Sequence, residues 1–305
     1  RQLAARDLAR HGRLDAADLD DVLEEKRLAL GRSDLLEYCP TAADPSEIGG
    51  MNQLKSWLDR RRLAFSAEAH AYGLPHPRGV LLVGPQGTGK SLTAKAIAHS
   101  WGMPLLRLDL GRLFAGLVGA SEARTRDMIG TAEAMAPCIL WIDEIDKGFS
   151  LDGRSDGGTG QRVLATLLTW MAEKDSPVFV MATANAIDQL PPELLRKGRF
   201  DEIFVLDLPD ANERREILQL HLRKRRPSNQ LPLDTLVDRT AGFSGAELEQ
   251  VVLEAMLQAF SEGREFSEPD LIGAAADLVP LSRTAREQLE ALQKWASEGR
   301  ARPAR

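Results

Sequence analysis

The chain has 305 residues, 43% hydrophobic and 28% charged, with a formal net charge of −6 at pH 7. That length suits one large and one small domain; the acidic balance argues against a general affinity for nucleic acid or anionic membrane, and no apolar run approaches the ~20 residues needed to cross a bilayer. Two cysteines, Cys39 and Cys138, lie outside any C-x-x-C spacing, which argues against a disulfide or zinc framework and suits a reducing compartment.

Residues 1–40 read as a helical lead-in: in DAADLDDVLEEKRLAL, Asp15 can cap a helix that carries Leu19, Val22 and Leu23 on one face. Because the chain opens on Arg1, this lead-in is expected to be the end of a longer N-terminal region. CPTAADPSEIGG (39–50) is an extended connector, and MNQLKSWLDRRRLAFSAEAHAYG (51–73) returns to helical spacing.

From residue 79 short apolar runs alternate with helical patterns. GVLLVG (79–84), PLLRLDL (104–110), CILWID (138–143), PVFVMATAN (177–185) and EIFVLDLP (202–209) are five expected strands. Such runs indicate a parallel sheet covered on both faces, so 41–209 is expected to be an α/β domain. Cys138 reads as a small buried hydrophobe within CILWID. Beyond Pro209 the strands stop. Helices are expected in 211–226, 233–242, 244–263 and 267–278, so 210–280 is a small all-helical domain. Ser244 with Glu247 three residues on forms a capping box, and the later helices also open on Ser with an acid or Gln nearby. Residues 281–305 make a C-terminal helix and tail, and the basic run RKRR (223–226) is expected to close its helix facing solvent.

GPQGTGKS (84–91) matches the phosphate-binding loop G-x-x-x-x-G-K-[ST] between an expected strand and an expected helix. The glycines let consecutive backbone N–H groups curl around phosphates, and the helix N-terminus favours the same anion. Lys90 would bridge phosphates and Ser91 would hold Mg²⁺. CILWIDEID carries two carboxylates out of a strand end. Asp143 is suited to the ion's water shell and Glu144 to activating a water. Asn185 closes MATAN; it could hold that water or simply form a turn. Arg196 and Arg199 in ELLRKGRFDEIF could stabilise a transferring phosphoryl group or be ordinary surface residues.

Taken together and in this order, GPQGTGKS, DEID, MATAN, LLRKGRFDEIF and GFSGAELEQ resemble the AAA subgroup of P-loop ATPases over residues 44–280. LRLDLGRLFAGLVG, ILWIDEIDK and LTWMAEKDSPVFVMATAN further resemble a branch encoded in cyanobacteria and some plastid genomes as a conserved hypothetical chloroplast frame. The resemblance implies an AAA+ large domain, a P-loop parallel sheet sandwiched by helices, followed by a helical lid. It implies ATP and Mg²⁺ bound by Gly87, Thr88, Gly89, Lys90, Ser91, Leu92 and Asp143, with Glu144 as base and Asn185 as sensor. Ile48 and Gly49 would cover the adenine, His221 would lie near the nucleotide, and Gly245 and Ala246 would make the lid contact. Ala246, where other clades often carry an arginine, places the chain in the classical AAA clade. Arg196 and Arg199 would act as fingers on ATP in an adjacent subunit, which requires a ring, usually a hexamer.

One departure bears on the work done. The pore segment of AAA unfoldases carries an aromatic two residues before its Gly; in AGLVGASEA (115–123) that position is Leu117, followed by Val118. The same stretch can also be a helix N-terminus capped by Ser121, and GRSDGGTGQR (153–162) a second pore loop or a surface loop. The expected function is therefore an ATP hydrolase that remodels a protein partner, in the cytoplasm or the plastid stroma. The alternative is an ATP-switched regulator or scaffold that threads nothing, with a link to photosynthetic metabolism. A nucleic-acid loader fits the acidic charge and the lid least.

Overall fold

The computed structural model describes residues 34–40, 48–114, 120–148, 159–228 and 231–305. The lead-in helix built on Asp15, the pore positions Leu117 and Val118, and most of GRSDGGTGQR lie outside them.

The described chain opens on strand β1 (Leu36–Cys39), then helices α1 (Asn52–Leu63) and α2 (Ala67–Ala71). Strand β2 (Gly79–Val83), helix α3 (Lys90–Trp101), strand β3 (Leu105–Leu108) and helices α4 (Leu110–Phe114) and α5 (Ala120–Ala134) follow. Strand β4 (Cys138–Ile142), helices α6 (Ile145–Gly148) and α7 (Thr159–Glu173), and strands β5 (Val178–Ala184) and β6 (Glu202–Val205) complete the α/β part. Helices α8 (Ala211–Arg225), α9 (Asp234–Arg239), α10 (Gly245–Ser261) and α11 (Glu268–Asp277) form the lid. The chain closes with α12 (Leu281–Thr284), α13 (Arg286–Ser297) and strand β7 (Arg302–Pro303).

The sheet runs β1-β3-β4-β5-β2-β6-β7. β3, β4, β5, β2, β6 and β7 are parallel, and β1 pairs antiparallel with β3. This is the expected α/β fold, with its five strands central. Every residue of β2, β4 and β5 is buried, because these inner strands are covered on both faces. Side chains alternate between two cores. Leu81, Val83, Leu140 and Val180 meet Met128 of α5 and Leu167 and Met171 of α7 on one face. Val80, Leu82, Ile139 and Phe179 meet Trp57 of α1 and Ile97 of α3 on the other. The lid has its own core, with Leu218, Leu236, Val252 and Leu271 all buried.

Three local expectations are corrected. The end of the lead-in, Leu36–Cys39, is an edge strand and not helix, because it hydrogen-bonds to β3. Ser121 lies one residue inside α5, which begins at Ala120, so it is not the cap; its buried hydroxyl has no partner among the described residues. The C-terminal helix is split at Ala285, whose φ of −122° and ψ of 36° leave the helical region. Cys39 and Cys138 are both buried, and neither forms a disulfide.

Capping boxes start α8 (Asp210 with Glu213), α10 (Ser244 with Glu247) and α11 (Ser267 with Asp270). At α11 the buried Asp270 also takes both terminal nitrogens of Arg264, each at 2.7 Å. The Arg264 guanidinium first, and Ser267 second, hold the Asp270 carboxyl well below its ordinary value of 3.8. A depressed carboxylate contributes stability above its ordinary value and loses it as pH falls through its folded value. Asp270→Asn is therefore expected to lower the melting temperature by about 5 °C at neutral pH. The gap to the parent should narrow as the buffer is taken below pH 4, which calorimetry at several pH values would read; a gap that does not change with pH would refute the assignment.

Candidate nucleotide site

The loop 84–91 leaves β2, an inner strand between β5 and β6, and turns directly into α3. Gly87 and Gly89 have φ of 78° and 88°, the left-handed region that a side chain disfavours. A Cβ on Gly87 would also lie 2.8 Å from Ser244 Oγ and 3.0 Å from Ala246 Cβ, so the lid presses on the loop. No side chain caps α3, whose N-cap is Gly89, so its first N–H groups are left to an anion.

Lys90 is 7% exposed, and its Nζ donates to the carbonyls of Gly84 at 2.6 Å and Pro85 at 2.7 Å. Burial lowers its pKa to about 8, against the pull of Asp146, Asp143 and Glu144. Thr88 Oγ1 donates to Pro85 O at 2.9 Å and closes the loop.

The two carboxylates leave the end of β4. Asp143 Oδ1 accepts from Thr183 Oγ1 at 2.6 Å and from Ser91 Oγ at 3.5 Å, while Arg107 stands 3.8 Å from Oδ2. Glu144 has a φ of 50°, a left-handed backbone that its N–H stabilises by donating to Thr183 Oγ1 at 3.0 Å. One threonine on β5 thus orients both acids. Glu144 Oε1 accepts from Asn185 Nδ2 at 3.0 Å, and Lys147 Nζ donates to both its oxygens at 2.8 Å. The Lys147 hydrogen bond, with Asn185 adding to it, holds Glu144 below the ordinary carboxylate range and keeps it ionised. Asp146, 1% exposed, accepts at Oδ2 from the backbone N–H of Asn185 at 3.0 Å and of Ala186 at 3.1 Å.

The lid closes the other side. Ala246 N donates to Gly87 O at 3.1 Å. The Ile48–Met51 segment is tied to α8, where Gly50 N donates to Glu216 Oε2 at 2.9 Å and Met51 N to Glu213 Oε1 at 3.3 Å. His221 lies 3.5 Å from Glu249, which also accepts from Arg225 at 2.7 Å. Arg225 of the basic run therefore faces Glu249 and not open solvent, because α8 packs on α10 there.

The result is a cleft of about 450 Å³ between the two domains. Ile48, Gly49, Gly87, Thr88, Gly89, Lys90, Ser91, Leu92, Asp143, Glu144, Asn185, His221, Gly245 and Ala246 all line it. Arg196 and Arg199 do not. Arg196 is exposed, and Arg199 is half-buried with Nη1 donating to Leu168 O at 2.5 Å. Sequence reasoning passed over Thr183, Asp146, Arg107, Met51 and Ile217. Thr183 lay in the quoted MATAN, where its hydroxyl inside an apolar strand was the signal; Ile217 is one apolar residue among many in α8 and gave none.

The donors fit Mg²⁺. Ser91 and Asp143 offer adjacent hard oxygens, few enough for an ion that keeps most of its waters. Among the described residues no group of three or more His, Cys, Asp or Glu could hold a metal ion by itself, and no helix is long and apolar enough to cross a membrane.

Residues 80–208 match the ATPase family associated with various cellular activities (AAA), and residues 231–271 match the AAA+ lid domain. The uncharacterized AAA domain-containing protein ycf46 of Pyropia yezoensis is 52% identical over 307 residues, covering 100% of this chain and 62% of that protein. Its namesake in Guillardia theta is 51% identical over 305 residues, covering 99% and 60%. The ATP-dependent zinc metalloprotease FtsH of Thermotoga maritima is 42% identical over 200 residues, covering 63% of this chain and 32% of that protein. The chain thus spans only about 60% of the length of the curated ycf46 relatives it matches.

Proposed function

The chain belongs to the AAA family of ATPases, and from that premise we propose that it is a Mg²⁺-dependent ATP hydrolase that works as a ring, with six subunits expected, to remodel a protein partner. The observation that carries this is the single cleft in which the phosphate-binding loop, two strand-end carboxylates, a strand-end amide and the lid meet.

In this reading the N–H groups of the loop and of the first turn of α3 bind the phosphates, and Lys90 leaves the carbonyls of Gly84 and Pro85 to do so. Ser91 and Asp143 would hold Mg²⁺, which would neutralise phosphate charge. Asn185 and Glu144 hold a water. Its oxygen bonds to the γ-phosphorus as the bond from that phosphorus to the ADP oxygen breaks, and Glu144 takes the proton. ADP leaves with the electron pair. That Arg196 and Arg199 lie off this cleft supports their acting on a neighbouring subunit's ATP. Leu117 in place of an aromatic favours the second reading, in which hydrolysis times an interaction and no polypeptide is threaded. The cytoplasm, or the stroma of a plastid, is the expected place.

The test is a subunit-mixing assay. Arg199→Ala and Glu144→Gln proteins should each be inactive alone. Mixed in equal amounts, about a quarter of interfaces should pair an intact Glu144 with an intact Arg199 and recover hydrolysis. No recovery at any ratio, from a parent that hydrolyses ATP, would exclude shared sites.

A further inference from the structure

We propose that Gln288 is a positioning residue for Asn185, through which the C-terminal arm sets the turnover rate at the nucleotide cleft; this rests on the role given above to Asn185. Asn185 is the first residue past β5, where the sheet no longer holds the backbone. Three contacts replace the ladder. Its N–H donates to Asp146 Oδ2 at 3.0 Å, its Nδ2 to Glu144 Oε1 at 3.0 Å, and its carbonyl accepts from Gln288 Nε2 at 2.7 Å. The contact with Gln288 is the one that comes from outside the α/β domain's own strand ends, 103 positions along the chain.

Gln288 sits on an anchored helix. Its helix α13 buries Leu292 and Trp295 in the same core as β4 and β5. On the outer side of α13, Gln293 donates to both oxygens of Asp207, at 3.3 and 3.1 Å, a solvent-exposed contact that the anchoring by Leu292 and Trp295 does not depend on. Beyond α13, β7 pairs with β6, and Arg305 donates to Asp207 Oδ2 at 3.1 Å and to Leu208 O at 3.3 Å. At its other end the arm meets the lid, where Ser282 N donates to Gly242 O at 3.3 Å, two residues before Ser244. Ser244 and Ala246 are the lid residues against Gly87. The arm is therefore a short stretch of chain, from Ser282 to Gln288, hydrogen-bonded at one end to the lid beside the phosphate loop and at the other to the carbonyl of Asn185. Removing Gln288 leaves the peptide plane after Asn185 anchored on Asp146 alone. The amide then points less closely at Glu144 and at the water the two would hold, and small misplacements of a reacting group are costly.

The test compares Gln288→Met, which keeps length and volume but loses the donor, with Gln288→Lys, which keeps an N–H donor, and with Gln293→Met on the same helix. Expected for Gln288→Met is a roughly tenfold fall in kcat with KM for ATP within about twofold. Gln288→Lys should recover most of it, and Gln293→Met should leave kcat unchanged. Hydrogen exchange of the peptide covering 181–187 should quicken in Gln288→Met only, a readout that stands even where hydrolysis is not observed. An unchanged kcat and exchange in Gln288→Met, an equal loss in Gln293→Met, or a fall in kcat matched by a rise in KM would each overturn the proposal. A parent that does not hydrolyse ATP would instead overturn the functional reading above.

Discussion

Glu144→Gln is expected to retain ATP affinity and to lose hydrolysis by about a hundredfold to ten-thousandfold, the range that a general base contributes. The substitution is nearly isosteric. Its amide oxygen can still accept from Asn185, and the backbone bond to Thr183 Oγ1 is untouched. What disappears is the charge that accepts the proton. The ion pair with Lys147 also goes, but both groups are substantially exposed, at 57% and 39%, so the fold should hardly notice. Steady-state ATPase assays beside calorimetric nucleotide binding separate the two effects. A fall in affinity equal to the fall in rate would point to lost binding, and an undiminished rate would remove Glu144 from the chemistry.

Lys90→Met should abolish tight nucleotide binding, with affinity falling about a hundredfold or more, as when one member of a buried charge pair is truncated. The buried ammonium of Lys90 sits among backbone carbonyls and three carboxylates, with its pKa pulled down to about 8 by burial. Phosphate needs the charged form. The parent's affinity for ATP should therefore fall by about tenfold per pH unit above 8, and Lys90→Arg should flatten that dependence where it still binds. The nucleotide-free fold should show the linked effect with the opposite sense. A folded-state pKa of about 8 against an ordinary 10.5 means that the unfolded chain holds the proton longer, so stability rises with pH between those values. Denaturant titrations from pH 7 to about 10 would show that slope in the parent and a shallower one in Lys90→Met, where Lys174, lowered by burial to about 8, still contributes. A pH-independent affinity in the parent would contradict the buried, depressed lysine.

The inner sheet was legible because burial on two faces leaves a continuous apolar run, as in GVLLV and CILWI. Edge strands carry no such mark. LEYC buries only its first and last residues, and RP is two exposed residues whose proline tolerates an edge position because nothing there needs its missing N–H. Ser121 misled because a serine before an acid resembles a cap wherever it falls. Whether it is one depends on the backbone of a single residue. Arg225 misled because a basic run closing a helix usually faces water, and only the approach of α10 brings Glu249 to it.

The sequence by itself determined the phosphate loop, the pair of acids at a strand end, the amide after the next strand and the capped lid helices. These features are local: glycine at positive φ, apolar runs and caps are written in neighbouring residues. The tertiary structure decided the rest. It set Thr183 between Asp143 and Glu144, placed Arg196 and Arg199 off the cleft, and brought Gln288 to Asn185 across 103 positions. Such partners carry no local pattern, because a single hydrogen bond to a backbone carbonyl asks only for a donor. Where that donor arrives depends on how the whole chain closes around the sheet.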